Sequence, residues 1–153
     1  MVRRLTTHSL EDERGFTLME LLVVMLIVGL LAAIALPTFL GQQDKGKDAE
    51  AKSNARNLMT QVESCYTPKE DYSQCATEAD IGGNLGIPYG TGPGEASVVT
   101  AAKITFTITA VSKSTTGGQN NTFSIIRQAD GTTTHACTAG SGADGGGCHG
   151  GTW

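Results

Sequence analysis

The sequence predicts an α+β chain. A long N-terminal α-helix, first apolar and then amphipathic, packs on a small antiparallel β-sheet of three or four strands. Three observations predict it. Residues 21–40 form a run of about 20 without a charge, the span of a bilayer core. Further on, Ala51, Ala55, Leu58, Met59, Val62 and Tyr66 recur at spacings of three and four, a helical stripe. Then Ile104, Phe106, Ile108 and Ala110 alternate with Thr105, Thr107 and Thr109, the period of a strand with one buried face.

The chain has 153 residues, enough for one small domain plus an extension. Its large apolar side chains are concentrated in residues 16–40. The remainder is rich in Gly, Thr, Ser and Ala, which makes for a thin core that needs covalent or oligomeric support. The net charge is −4 and no Lys/Arg cluster stands out, which argues against a general nucleic-acid-binding surface. Four cysteines fall in two sequence-local pairs, Cys65 with Cys75 and Cys137 with Cys148, all after the apolar run. An even number in a small-cored domain points to disulfides and an oxidising, extracytoplasmic setting, with the connectivity left open.

Residues 1–15 are polar, with Arg3, Arg4 and Arg14 against Glu11, Asp12 and Glu13. The switch to apolar sequence is abrupt at Gly15–Phe16. An ordinary secretory signal is cut after its apolar region. A cut at this switch would instead leave the apolar run on the mature chain. Between Phe16 and Gln43 the only charged side chain is Glu20. A carboxylate at mid-membrane costs roughly 2.5–3.5 kcal/mol and less near the interface, and an intramembrane ionisable group is a functional candidate by default. Gly29 and Pro37 interrupt the run without forbidding a membrane helix. Pro37 removes one helical hydrogen bond, which by itself predicts a kink.

The stretch RGFTLMELLVVMLIVGLLAAIALPTFL resembles the N-terminal signature of type IV prepilins and the related pseudopilins. The parts that carry the resemblance are Gly15, Phe16, Thr17-Leu18, Glu20, the apolar run and Pro37. It covers about residues 14–66, and beyond Cys65 the match is one of layout. The resemblance implies a type IV pilin-like fold and a chain in four parts. Residues 1–15 are a cytoplasmic leader, 16–41 a transmembrane and filament-core helix, 42–66 its amphipathic continuation, and 67–153 an extracytoplasmic β domain. It implies a prepilin peptidase that cuts after Gly15 and methylates the new amine of Phe16. The precursor would sit in the cytoplasmic membrane and the product in a fibre at the cell surface. Glu20 would pair with the ammonium of Phe16, on a neighbouring subunit or on the same chain, and so set the register of a homopolymer. A buried pair of this kind is better attested as a register device than as a source of stability. The stretch between Gly29 and Pro37 would lose helicity on assembly. A platform and motor system would do the work, and no cofactor or enzymatic activity is implied.

A helix over residues 16–66 would be roughly 76 Å long, and one membrane crossing uses less than half of it. The amphipathic half packs its stripe on the sheet, with Lys45, Lys47, Asp48, Lys52, Asn54 and Arg56 on the opposite, solvent face. Pro68 reads as the breaker that ends the helix. Residues 81–96 are rich in Gly and Pro and read as irregular loop. After the first strand, TGGQNN reads as a turn, Phe123 and Ile125 mark a second strand, and Asp130-Gly131 a two-residue hairpin before a third strand over residues 132–137. A fourth strand over residues 97–101 would complete the sheet. The tail TAGSGADGGGCHGGTW has little intrinsic order, and a Cys137–Cys148 bridge would close it, for about 3 kcal/mol in the chain-entropy model.

Other chemistry is weakly supported. His135, Cys137, Cys148 and His149 do not follow a usual zinc spacing, and pairing of the cysteines competes with metal. Asp130 and Asp144 lack the spacing of a known calcium loop. Asn120-Asn121-Thr122 matches a glycosylation sequon that also reads as an ordinary turn. No nucleophile triad, phosphate loop or catalytic carboxylate pair is readable. A membrane-anchored binding protein or enzyme, using the helix only as an anchor, would predict no cut at Gly15.

Overall fold

The computed structural model describes residues 15–140, 142 and 144–153. The leader expected over residues 1–15 therefore lies, up to Arg14, outside the described residues. The element order is α1 (Leu18–Lys69), a 3-10 turn (Tyr72–Gln74), then β1 (Ala96–Ala101), β2 (Phe106–Thr116), β3 (Gln119–Arg127) and β4 (Thr133–Thr138). The chain divides into two units, the first ending at Thr38 and the second running Phe39–Trp153.

In the first unit, every large apolar side chain described is exposed, with Phe16 at 87%. This is the part of α1 long and apolar enough to cross a membrane. In the second unit, α1 buries Ala51, Ala55, Leu58 and Val62 against the sheet and half-buries Met59 and Tyr66. The expected stripe is thus seen, but the expected solvent face is corrected in two places. Asp48 is only 1% exposed and Asn54 is also buried. The spacing explains Asp48, because 48, 51, 55, 58 and 62 continue one another in steps of three and four. The helix also passes Tyr66 and reaches Lys69, with Pro68 inside its last turn. There a proline removes only one hydrogen bond. The stop comes at Glu70, whose φ is +52°.

The four strands form one antiparallel sheet in the order β1-β2-β3-β4. Phe106, Ile108 and Ala110 on β2 and Phe123 and Ile125 on β3 fill the inner face at period two. Ile104 does not join them. It lies outside β2 and is half exposed, because the strand begins only at Phe106. The β2–β3 turn is tighter than TGGQNN suggests: Thr116 pairs with Gln119 around Gly117 and Gly118, with φ of +61° and +82°. Two successive positive φ values define the twist-matched hairpin turn that glycine supplies without strain. The Asp130-Gly131 hairpin is longer than the expected two residues. Gln128 N–H donates to Thr132 O and Gly131 N–H to Gln128 O, leaving a three-residue loop.

Register shifts between Val111 and Thr115, so that residues 112–114 of β2 face the single residue Asn121 of β3. Ser112 and Ser114 continue the inward, period-two face of β2 and lie beside buried Asn121. The glycine-rich tail is also more ordered than its composition suggests. Ala139 and Cys148 are fully buried, and Trp153 packs edge-on against Phe123 and His135.

Candidate functional site

At the N-terminal end, Thr17 precedes the first residue of α1 and Glu20 sits in the first turn. Glu20 Oε2 accepts the Thr17 backbone N–H and its hydroxyl, each at 2.9 Å. The Glu20 N–H donates back to Thr17 Oγ1 at 3.2 Å. This reciprocal pair is a capping box, and Thr-x-x-Glu is its sequence signature. The signal is readable in the sequence, and the pairing role assigned to Glu20 passes over it. Phe16, two residues before the helix, projects its ring into solvent. Gly29 and Pro37 both lie within α1, which is helical throughout Leu18–Lys69 in this single chain.

The cysteines form two disulfides, Cys65–Cys75 and Cys137–Cys148. The first joins the end of α1 to the 3-10 turn. There Tyr72 stacks on Tyr66 with ring centroids 4.0 Å apart and meets Phe106 edge-on. Tyr72 OH donates to Glu63 Oε2 at 2.8 Å, and Arg127 reaches Glu63 Oε1 at 4.0 Å. Burial, with Glu63 holding the hydroxyl proton, pushes the Tyr72 phenol up to about 12.

The second disulfide removes Cys137 and Cys148 as thiolate ligands for the zinc arrangement considered above. Among the described residues no cluster of three or more His, Cys, Asp or Glu is placed to hold a metal. Asp130 accepts both the N–H and the hydroxyl of Thr132, and these bonds hold its carboxyl below the usual range. Asp144 accepts the Gly150 N–H at 2.7 Å. Asn120 of the sequon uses its side-chain amide to donate to Ser112 O.

A polar cluster that no motif announced lies under the tail. Ser114 Oγ, Asn121 Nδ2 and the Gly147 N–H all donate to the buried carboxylate of Asp48. Lys52, one turn on, donates to Gly147 O at 2.7 Å. Its ammonium also lies 4.9 Å from the Phe123 ring and 5.5 Å from Trp153, and Arg56 lies 4.8 Å from Trp153. Burial lowers the Lys52 pKa, against the raising effect of Asp48.

A membrane-length apolar helix capped by Thr17 and Glu20, whose polar half packs on a four-stranded sheet braced by two disulfides, is consistent with the α+β type IV pilin fold. Residues 12–36 match the model of the prokaryotic N-terminal methylation motif. The chain is 44% identical over 77 residues to the type IV major pilin protein PilA of Myxococcus xanthus, covering 50% of this chain and 35% of that protein. It is 34% identical over 103 residues to the fimbrial protein EcpC of Eikenella corrodens, covering 67% of this chain and 65% of that one. It is also 39% identical over 47 residues to the type II secretion system core protein G of Escherichia coli, 31% of this chain and 32% of that one. The matched stretches span about a third to two thirds of the relatives' own lengths. No solved structure matches.

Proposed function

We propose that the chain is a structural subunit of a type IV pilus. The observation that carries this reading is the first unit of α1: its large apolar side chains are all exposed, behind one carboxylate four residues from Phe16. Such a surface needs lipid before assembly and neighbouring helices after it. Prepilin peptidase cuts after Gly15, removes residues 1–15 as the leader and methylates Phe16. Methylation keeps the charge of the amine. The precursor spans the cytoplasmic membrane through residues 16–41, with residues 42–66 and 67–153 outside. Chains then polymerise on an assembly platform driven by a motor, as a homopolymer exposed at the cell surface.

In that filament Glu20 meets the Phe16 ammonium of an adjacent subunit, which fixes the axial offset. The helix between Gly29 and Pro37 loosens on assembly, where glycine and proline weaken it most. Adhesion, twitching motility or DNA uptake then belong to the fibre as a whole. Mass spectrometry of the mature N-terminus and electron microscopy of sheared fibres test this. A methylated Phe16 in abundant long fibres supports it, and an intact leader rejects it.

A pseudopilin of a type II secretion or competence system is the second reading, favoured by the similarity to the secretion core protein of Escherichia coli. It predicts the same methylated Phe16 but no long surface fibres.

A further inference from the structure

We propose that Asp48 is the residue that positions the glycine-rich C-terminal loop on helix α1, a task the nearby disulfide does not perform. The Cys137–Cys148 bond joins β4 to the loop that follows it. The pairings Ala139 with Gly142, Gly145 with Cys148 and His149 with Thr152 likewise stay within the C-terminal segment. Together they close the loop on itself and on the sheet. None of them reaches the helix.

Among the described residues, the backbone hydrogen bonds between loop and helix run through Gly147. Its N–H donates to Asp48 Oδ2 at 2.9 Å and its carbonyl accepts Lys52 Nζ at 2.7 Å. Asp48 and Lys52 stand four residues apart, on one face of the helix. A carboxylate therefore meets the donor of Gly147 and an ammonium meets its acceptor, both as charge-assisted bonds. The aromatic contacts of Trp153 with Lys52 and Arg56 add to this attachment.

Three further features show that the fold is built around the carboxylate. Ser114, on the inner face of the bulged stretch of β2, donates to it, with Asn121 on β3 opposite. Asn121 turns its amide nitrogen toward Asp48 while its buried Oδ1 has no partner among the described residues, an arrangement that costs free energy and needs a reason. Gly146 has φ of +56°, and a Cβ there would overlap Asp48 Oδ2. The loop thus approaches the carboxylate as closely as a backbone without side chains allows. Asp48 holds hairpin and loop to one helical position, and Lys52 completes the clasp. The same clasp forms a wall of the open cleft, about 450 Å³, between Lys45, His149 and Trp153.

Hydrogen exchange on the full chain in detergent micelles, with both disulfides intact, tests the proposal. Asp48→Asn keeps the shape and removes the charge. It is expected to raise exchange of the residue 145–149 amides at least about tenfold, while amides of residues 106–110 and 123–127 stay within about twofold. Unchanged loop exchange overturns the proposal. A uniform rise across sheet and loop also overturns it, since Asp48 would then act on global stability alone. Should Asp48→Asn fail to fold, Lys52→Met preserves the apolar stem and probes the other half of the clasp. A rise confined to the loop supports the proposal, and no rise overturns it.

Discussion

Glu20 and Thr17 hold each other through three hydrogen bonds, two to the carboxylate at 2.9 Å and one to the hydroxyl at 3.2 Å. The glutamate therefore has a local task, starting the helix, besides the register role proposed for it in the fibre. The two tasks separate by substitution. Glutamine serves the same position in a capping box but carries no charge. Glu20→Gln is expected to keep the helix start and membrane insertion while fibre yield falls at least about tenfold, as for an interaction of a few kcal/mol between charges. Thr17→Val removes the cap and keeps the charge, so fibres should persist. Sheared-fibre yield by electron microscopy reads both. Normal fibres from Glu20→Gln would reduce Glu20 to a cap.

How much of this was legible in the sequence depends on the kind of signal. Period two in residues 106–110 and the 3–4 spacing of Ala51, Ala55, Leu58 and Val62 are one-dimensional patterns, and both elements lie where those patterns put them. Polarity alone puts Asp48 on the solvent face, whereas its position continues the same buried spacing. The reason for burying it is three-dimensional: its donors come from β2, β3 and the C-terminal loop, at separations of 66, 73 and 99 residues. The bulge opposite Asn121 likewise exists only once β2 and β3 are paired. The tail looked structureless because glycine composition reports backbone freedom, and says nothing of a carboxylate waiting to accept Gly147.

The stripe of α1 differs in depth along its length, and truncation should reveal it. Leu58 is fully buried and Met59 is only half-buried beside it. Leu58→Ala removes buried methyl groups and leaves a cavity, for a loss of about 3 kcal/mol, within the usual 2–5. Met59→Ala should cost less than about half of that, since part of its surface already faces water. Denaturant unfolding of the full chain in detergent, followed by tryptophan fluorescence from Trp153, measures both. Equal losses would show that α1 does not pack through Leu58.

The Cys65–Cys75 bond spans a separation of 10 residues and ties the helix end to the turn that carries Tyr72. In the chain-entropy model, closing a loop of this size contributes about 3 kcal/mol. A Cys65→Ser, Cys75→Ser double variant is expected to lower the unfolding free energy by about that amount, with the fold retained because Tyr72 and Ile81 stay packed on the core. Chemical denaturation compares the two proteins. A loss under about 1 kcal/mol would mean that the unfolded chain is already constrained there.

Tyr72 links the pH response of the fold to the same corner. Its phenol is raised from 10.0 to about 12, by burial first and then by the hydrogen bond to Glu63 and the charge of that carboxylate. A raised folded value means that the protonated phenol is favoured in the native state. The associated stability is fully present below pH 10 and is lost as pH rises through about 12. Ultraviolet titration of the phenolates is the direct measurement. Tyr72 is expected to ionise near pH 12, together with loss of structure. Tyr72→Phe should remove that late step, and Glu63→Gln should move it toward lower pH, because it takes away the negative charge that opposes phenolate formation. A late step that survives Tyr72→Phe would overturn its assignment to Tyr72.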